Sequence, residues 1–467
     1  MVIAYAACAQ SGVWIFRDET DSNPGSALYD CVVTNSSRQM MCYSDFSFPR
    51  DTPPFIPGKA LLKYYQHRYR VEKTEDFAKT GQWRVTVLHE GEETVHVFDA
   101  IMPCTGFFSI INYPMYPGQD EFKGTVFHSN EYRGNEHMAG KNVVVVGGSH
   151  SAGDISVDAS LTAKQVYLSM RKGTWVITRS GPGGWPGDLY MNRRINFLLP
   201  EWYRRNAMKK DLLSKINVDN LGLRCDRELF CSEVMVNDLI QSSIFCGKVK
   251  TKTGIDHFTK TGIVFTDGTE VDADVVIFAT GYKLRAPYLD TSIVQEELKD
   301  LELYKYVFPP RLEHATCACI GFMMTIGATV PLSSYSPDGQ CSNNYCSIGW
   351  IEAVGESWVG VDGRIPPIPY QDSLAAQIGA LPSFKRYLFT DPALAFRILF
   401  GPALPCSYRL VGPHPWKGAR SAIMGVWDIY SNATRTRDVG KPKPNYWPLP
   451  LQVAVLLALV ALLIFAT

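Results

Sequence analysis

Two hydrophobic periods alternate along the middle of the chain. From Lys141 to about Tyr282, short runs rich in β-branched residues are separated by stretches with helical spacing: NVVVV at 142–146, QVYLSM at 165–170, GIVFTDG at 262–268 and ADVVIFATGY at 273–282. Unbroken apolar runs, without a polar residue at every second place, are what strands buried on both faces of a parallel sheet look like. They predict one complete α/β unit over residues 135–284. FDAIMPCTG (98–106) ends in Thr-Gly as VVIFATGY (275–282) does, so a second, related sheet is predicted around it. Pro103 within that run removes a ladder donor and is expected to interrupt it.

Three further stretches stand apart from this alternation. RRINFLLPEWYRRNAMKKDLLSK (193–215) interleaves basic and aromatic residues and predicts a helical segment inserted in the α/β unit, solvated with one buried face. Contact with a membrane surface is the alternative for it. Residues 334–367 are dense in turn formers and predict an irregular loop. LPLQVAVLLALVALLIFA (449–466) is free of charge and long enough to cross the hydrocarbon core as a helix. Lys441, Lys443, Tyr446 and Trp447 before it suit an interfacial belt on a cytosolic side. A C-terminal transmembrane anchor over 448–467 is therefore expected.

Composition narrows the partners. At 467 residues the chain has room for two or three domains, and its 46 basic residues balance 46 acidic ones. A basic excess of the kind that nucleic-acid binding needs is absent, so a nucleic-acid partner is not expected. Twelve cysteines spread from Cys8 to Cys406, with only Cys317 and Cys319 closely spaced, match neither a zinc framework nor a disulfide scaffold.

Candidate chemistry gathers at VVVVGGSHSAGD (143–154), a strand, a glycine turn and a helix start. In a dinucleotide cradle the first glycine makes the turn, the second admits the pyrophosphate and the third allows close helix packing. Gly147, Ser149 and Ala152 occupy those places, so Ser149 puts a hydroxyl where phosphate oxygens approach. After the next strand, where an NAD-binding chain carries a carboxylate for the ribose, Arg171 and Lys172 follow instead. A cation there suits a 2′-phosphate and predicts NADP. A rival reading takes Ser149 to Gly153 as a displaced nucleophile elbow, with Ser151 served by His257, His314 or His414. The elbow's first glycine is missing, which counts against a hydrolase.

FKGTVFHSNEY, with Phe122, Gly124, His128 and Tyr132, resembles the F-x-G-x-x-x-H-x-x-x-Y/F fingerprint of the flavin-containing monooxygenases. The similarity continues through VTNSSRQMMCYSDFSFP from Val33, GQWRVTV from Gly81, FDAIMPCTG, GTWVITR from Gly173, VVIFATGY, and FTDPALAFRILFGP to PWKGAR. It spans most of the chain and is closest to the microsomal animal enzymes.

The resemblance implies two dinucleotide-binding Rossmann-like domains, the NADP domain inserted in the FAD domain. Residues 1–134 and 285–447 would then form the FAD domain. It further implies a monooxygenase of the endoplasmic reticulum membrane, on the cytosolic face, that uses FAD, NADPH and molecular oxygen. Such enzymes insert one oxygen atom into amines or sulfides through a C4a-hydroperoxyflavin. By motif match, Asn35 would lie against flavin and nicotinamide as the catalytic residue, flanked by Thr34 and Ser36, with Val13 and Trp14 covering the flavin. Ser151, Ala152, Gly153 and Asp154 would line the NADP phosphates, with Ser169 and Arg171 at the 2′-phosphate. The strand and G-x-G-x-x-G that open the family's FAD domain are not read before Gly12, so that domain is expected to be partial. The alternative is an impaired or non-catalytic NADP(H)-binding membrane protein of the same descent.

Overall fold

The structure is a computed structural model and describes residues 3–6, 33, 53, 55, 70–89, 92–103, 110–229, 234–283, 303–304, 307–310, 312–319, 367–413, 415–432 and 437. Strand β1 (Ile3–Ala6) is followed by an antiparallel meander of β2 (Arg70–Lys73), β3 (Trp83–His89) and β4 (Glu92–Phe98), with the short helix α1 (Phe77–Thr80) between the first two. β5 (Ala100–Pro103) pairs in parallel with β1, so a strand does precede Gly12, contrary to expectation. On its other side Ile101 bridges Cys317 in parallel, which places β5 between two neighbours. Pro103 is tolerated because it is the last residue of the strand, opposite Ala6, beyond the bridge to Cys317.

The chain then crosses into the second unit through β6 (Ile110–Ile111). That unit contains β7 (Thr125–His128), β8 (Asn142–Val146), helix α2 (His150–Ala159), β9 (Gln165–Ser169) and β10 (Val176–Ile177). An inserted helical stretch follows: α3 (Gly187–Met191), α4 (Arg194–Phe197) and α5 (Glu201–Lys215). The unit closes with β11 (Met235–Val236), α6 (Ile240–Phe245), β12 (Val249–Lys252), the meander β13 (Ile255–Phe258), β14 (Gly262–Phe265) and β15 (Glu270–Asp272), and β16 (Val275–Phe278). β17 (Tyr282–Lys283) pairs antiparallel with β6, so the chain enters and leaves through one two-stranded ribbon.

The second unit is built on a five-stranded sheet in the order β12-β9-β8-β16-β7, with every pairing parallel. It takes in β7, which lies before residue 135 where the sequence places the start of this unit. The continuous apolar runs are explained by which face each residue serves. Val143, Val145, Val275 and Ile277 pack with Ala152, Ile155 and Ile240 under α2 and α6. Val144, Val146, Val276 and Phe278 pack on the opposite face with Ile255, Phe258, Ile263 and Phe265 of the meander. A strand clothed on both sides has no place for a polar residue.

Towards the C-terminus, α8 (Phe384–Thr390), α9 (Pro392–Phe400), α10 (Ala419–Met424) and α11 (Val426–Asn432) pack with Leu189 of the inserted stretch, and α7 (Pro367–Gln377) is tied to α4 through Asp372 and Arg194. Within the 193–215 segment α5 runs from Glu201, buries Leu212 and leaves Trp202 exposed. Among the described residues no helix is long and apolar enough to cross a membrane. The expected anchor over 448–467, the 334–366 stretch and the candidates Val13, Trp14, Thr34, Asn35 and Ser36 lie outside the described residues.

Candidate dinucleotide site

The turn after β8 is shaped by one backbone position. Gly147 has φ 151°, and a Cβ placed there would lie 2.3 Å from the carbonyl oxygen of Ala279, at the end of β16. Only glycine fits the turn at this point. Its N–H donates to the Ser169 carbonyl at 3.0 Å, which seats the turn against β9. Thr174, buried, donates from Oγ1 to the Gly148 carbonyl at 2.5 Å and holds the far side.

Ser149 stands at the N-cap of α2 in an extended conformation, but its side chain does not cap the helix. Its hydroxyl donates to the Val234 carbonyl at 3.1 Å. The Gly153 N–H to Ser149 carbonyl bond, at 3.1 Å, makes the first helical turn. The amides of His150, Ser151 and Ala152 precede it and face out of the helix end, the arrangement that receives a phosphate. A cradle that a Cβ would fill, opening on uncapped helix amides, fits the pyrophosphate of NADP.

The other predicted ligands separate into two groups. Ser151 is half-buried at the helix start, and Ala152 is fully buried beneath the turn, where the third glycine of the motif would pack. Gly153 and Asp154 face β11 instead of the cleft. A Cβ on Gly153 would meet the Met235 sulfur at 2.7 Å, and the Asp154 carboxylate accepts from Asn237 Nδ2 at 2.8 Å. Gly153 therefore allows helix and strand to approach, and Asp154 fixes the segment after β11. Ser169 is buried with its hydroxyl donating to the Thr253 carbonyl at 2.7 Å, so its proton is already committed. Arg171 is exposed beyond the end of β9, with its stem lying over Gly254.

Among the described residues the hydrolase alternative finds no geometry, and His414 lies outside them. His257 pairs with Asp256 at 2.7 Å, and His314 meets the Ala78 carbonyl at 2.9 Å. His150, next to Ser151, accepts the Val236 N–H on Nδ1 at 3.0 Å.

The fingerprint residues hold the frame around the site. His128 is fully buried, with Nε2 3.2 Å from the Gly281 carbonyl and Nδ1 3.3 Å from the Asn130 N–H. Nδ1 also lies 3.1 Å from the Asn130 Oδ1. Tyr132 donates to Asp158 of α2 at 2.7 Å, and Asn135 donates to the same carboxylate at 3.1 Å. The motif thus lashes β7 to the chain after β16 and to the dinucleotide helix. Burial pushes the His128 pKa below its ordinary 6.5, against the opposing pull of its bonds to Asn130 and Gly281. The unfolded chain therefore binds more protons than the native one once pH falls below about 6.5, and stability declines in that direction. Urea midpoints compared at about pH 7.5 and 5.5 should fall less in His128→Asn than in the parent; equal falls would remove His128 from the account.

Two polar groupings had no local signal. Arg194 pairs with Asp372 through Nη2 at 2.9 Å and Nε at 3.1 Å, and Tyr408 donates to the same carboxylate at 2.6 Å. Arg179 pairs with Asp238 at 3.0 Å and donates to the Val33 carbonyl at 3.2 Å. Arg179 closes the GTWVITR segment that carries part of the family resemblance, but nothing local marks Asp238 as its partner.

Comparison with known proteins identifies the family. The family model described as flavin-binding monooxygenase-like matches residues 7–337 and 363–467. Flavin-containing monooxygenase 3 of Homo sapiens is 37% identical over 474 residues, covering 93% of this chain and 89% of that protein. Dimethylaniline monooxygenase [N-oxide-forming] 2 of Macaca mulatta is 36% identical over 452 residues, covering 88% and 84%. Among solved structures, Tmm from Pelagibacter sp. strain HTCC7211 aligns over 91% of this chain and 83% of its own, with 18% identity and a TM-score of 0.49. The chain belongs to the flavin-binding monooxygenase-like family. It is an enzyme of that family, and its cofactors are FAD and NADP.

Proposed function

We propose that this enzyme uses NADPH and molecular oxygen to insert one oxygen atom into the nitrogen of an amine or the sulfur of a sulfide. The carrying observation is the Gly147 turn with Arg171 beyond the adjacent strand, a phosphate cradle with a cation where a 2′-phosphate would lie. A relative named for forming an N-oxide from dimethylaniline supports the substrate class. When bound, NADPH supplies the electrons and FAD the oxygen activation.

The chain's own work is to bind, orient and exclude water. His150, Ser151 and Ala152 amides hold the pyrophosphate, and Arg171 selects NADPH over NADH. Asn35, between Thr34 and Ser36, orients the reacting rings, while Val13 and Trp14 cover the flavin. The apolar tail at 449–466 tethers the enzyme to the cytosolic face of the endoplasmic reticulum membrane.

The test is the full chain in detergent, assayed for bound flavin and for NADPH-dependent conversion of an alkyl aryl sulfide to its sulfoxide. NADPH oxidation with no oxygenated product would defeat the proposal. Arg171→Ala should weaken NADPH binding roughly 10- to 100-fold, the scale of a charge-assisted hydrogen bond, and leave NADH binding unchanged. Equal losses for both nucleotides would reassign the 2′-phosphate contact.

A further inference from the structure

A line of hydrogen bonds runs from the dinucleotide turn to the segment that carries Asn35. It begins at α2, where Ser149 donates to the Val234 carbonyl at 3.1 Å and His150 accepts the Val236 N–H at 3.0 Å. Asn237 donates to Asp154 at 2.8 Å, and Met235 fills the space that Gly153 leaves. β11 is thus bound to the helix N-terminus along its whole length. Its partner β10 keeps register to the end, with the Asn237 N–H donating to the Ile177 carbonyl at 3.0 Å. One residue further on, Asp238 accepts from both the backbone N–H and Nη1 of Arg179, at 2.9 and 3.0 Å. Arg179, whose side chain is only 13% exposed, then donates from Nη2 to the Val33 carbonyl at 3.2 Å. Val33 is covalently followed by Thr34 and Asn35.

We infer that Arg179 and Asp238 form a positioning pair that fixes the Val33 peptide, two residues before Asn35 in sequence, relative to the bound nucleotide. The inference rests on the assignment of Asn35 to the reaction centre. Arginine suits the task because its planar fork can grip a carboxylate and a third oxygen at once, whereas a lysine offers one mobile point charge. The Asp238 side chain, 39% exposed, gains direction from its neighbour: Asn237 Oδ1 accepts the N–H groups of Leu239 and Ile240 and sets the turn. Nucleotide phosphate at the α2 N-terminus would stiffen β11, and the pair would pass that order to Val33. Neither residue needs to touch substrate or cofactor.

Amide hydrogen exchange on the full-length protein, with and without NADP⁺, tests this directly. In Arg179→Ala and Asp238→Asn the peptide containing Val33 should exchange about tenfold faster without nucleotide, while β8 and β16 keep the parent's protection. NADP⁺ should slow exchange at the Gly147 turn in every variant, but at Val33 only in the parent and, weakly, in Arg179→Lys. Parent-like exchange at Val33 in Arg179→Ala, or NADP⁺ protection there that survives the substitution, would overturn the inference. If Arg179→Ala loses protection in β8 and β16, it has not folded, and Asp238→Asn, which keeps shape and an acceptor, carries the same two criteria. No NADP⁺ protection at the Gly147 turn of the parent would sink the nucleotide assignment instead, while exchange without nucleotide still judges the pair.

Discussion

Gly147→Ala is expected to cost about 2 to 5 kcal/mol of stability and to weaken NADP⁺ binding more than 100-fold. The stability loss has two sources that act together. An alanine at φ 151° sits in a strained backbone region, and its Cβ would lie 2.3 Å from the Ala279 carbonyl oxygen. That oxygen belongs to backbone at the end of a buried strand and cannot swing away as a side chain could. Relief must come from moving the turn, which displaces the amides of His150 to Ala152 from the phosphate position. Gly148→Ala is the control, since a Cβ there would meet the Gly173 carbonyl at 3.4 Å, the edge of ordinary contact. It should fold with a loss below about 1 kcal/mol. Denaturant midpoints and NADP⁺ titration of the two variants check the contrast, and similar behaviour of both would remove the steric argument.

The second large effect is expected at Asp372. Its carboxylate, 26% exposed, meets the Arg194 guanidinium, 12% exposed, in a two-point contact and also accepts from Tyr408, which is fully buried. Burial holds the Tyr408 phenol above its ordinary pKa, so it remains a donor throughout the usable pH range. Asp372→Ala leaves a guanidinium enclosed without its counter-charge and should cost about 3 to 5 kcal/mol. Asp372→Asn keeps an acceptor and should cost less, while Tyr408→Phe, which removes a single bond, should cost about 1 to 2 kcal/mol. Because α4, α7 and the 405–409 turn meet at this carboxylate, the loss should appear as separate melting of the C-terminal helices. A single cooperative transition at the parent's midpoint would show that the network is dispensable.

These two sites differ in how visible they were beforehand. The β8 to α2 turn could be read from VVVVGGSHSAGD because its determinants are adjacent: a buried strand, a glycine, small residues and a helix start. NVVVV and VVIF were legible as doubly covered strands for the same reason, since burial on both faces writes itself into consecutive residues. Arg194 and Asp372 are 178 residues apart, and Arg179 and Asp238 are 59 apart. A charged residue awaiting a distant partner looks the same in sequence as one facing water. Asp154 shows a related limit: its place in the motif suggests the phosphates, and nothing in sequence marks the Asn237 amide that its carboxylate accepts from. Pro103 was read as a break because a proline inside a strand usually is one, and only the register showed that it falls on the last rung.

The order of strands in the central sheet also bears on how the protein is made. β16 lies between β8 and β7 and pairs with both, yet it is synthesised well over a hundred residues after β8. At about 5 to 20 residues per second, the ribosome leaves that slot open for on the order of ten seconds. During this interval NVVVV presents an unpaired apolar edge, the kind of surface that draws strands from other chains. The nascent enzyme is most exposed to aggregation between the emergence of Val146 and that of Val275, and a chaperone that shields extended apolar segments would have its greatest effect there.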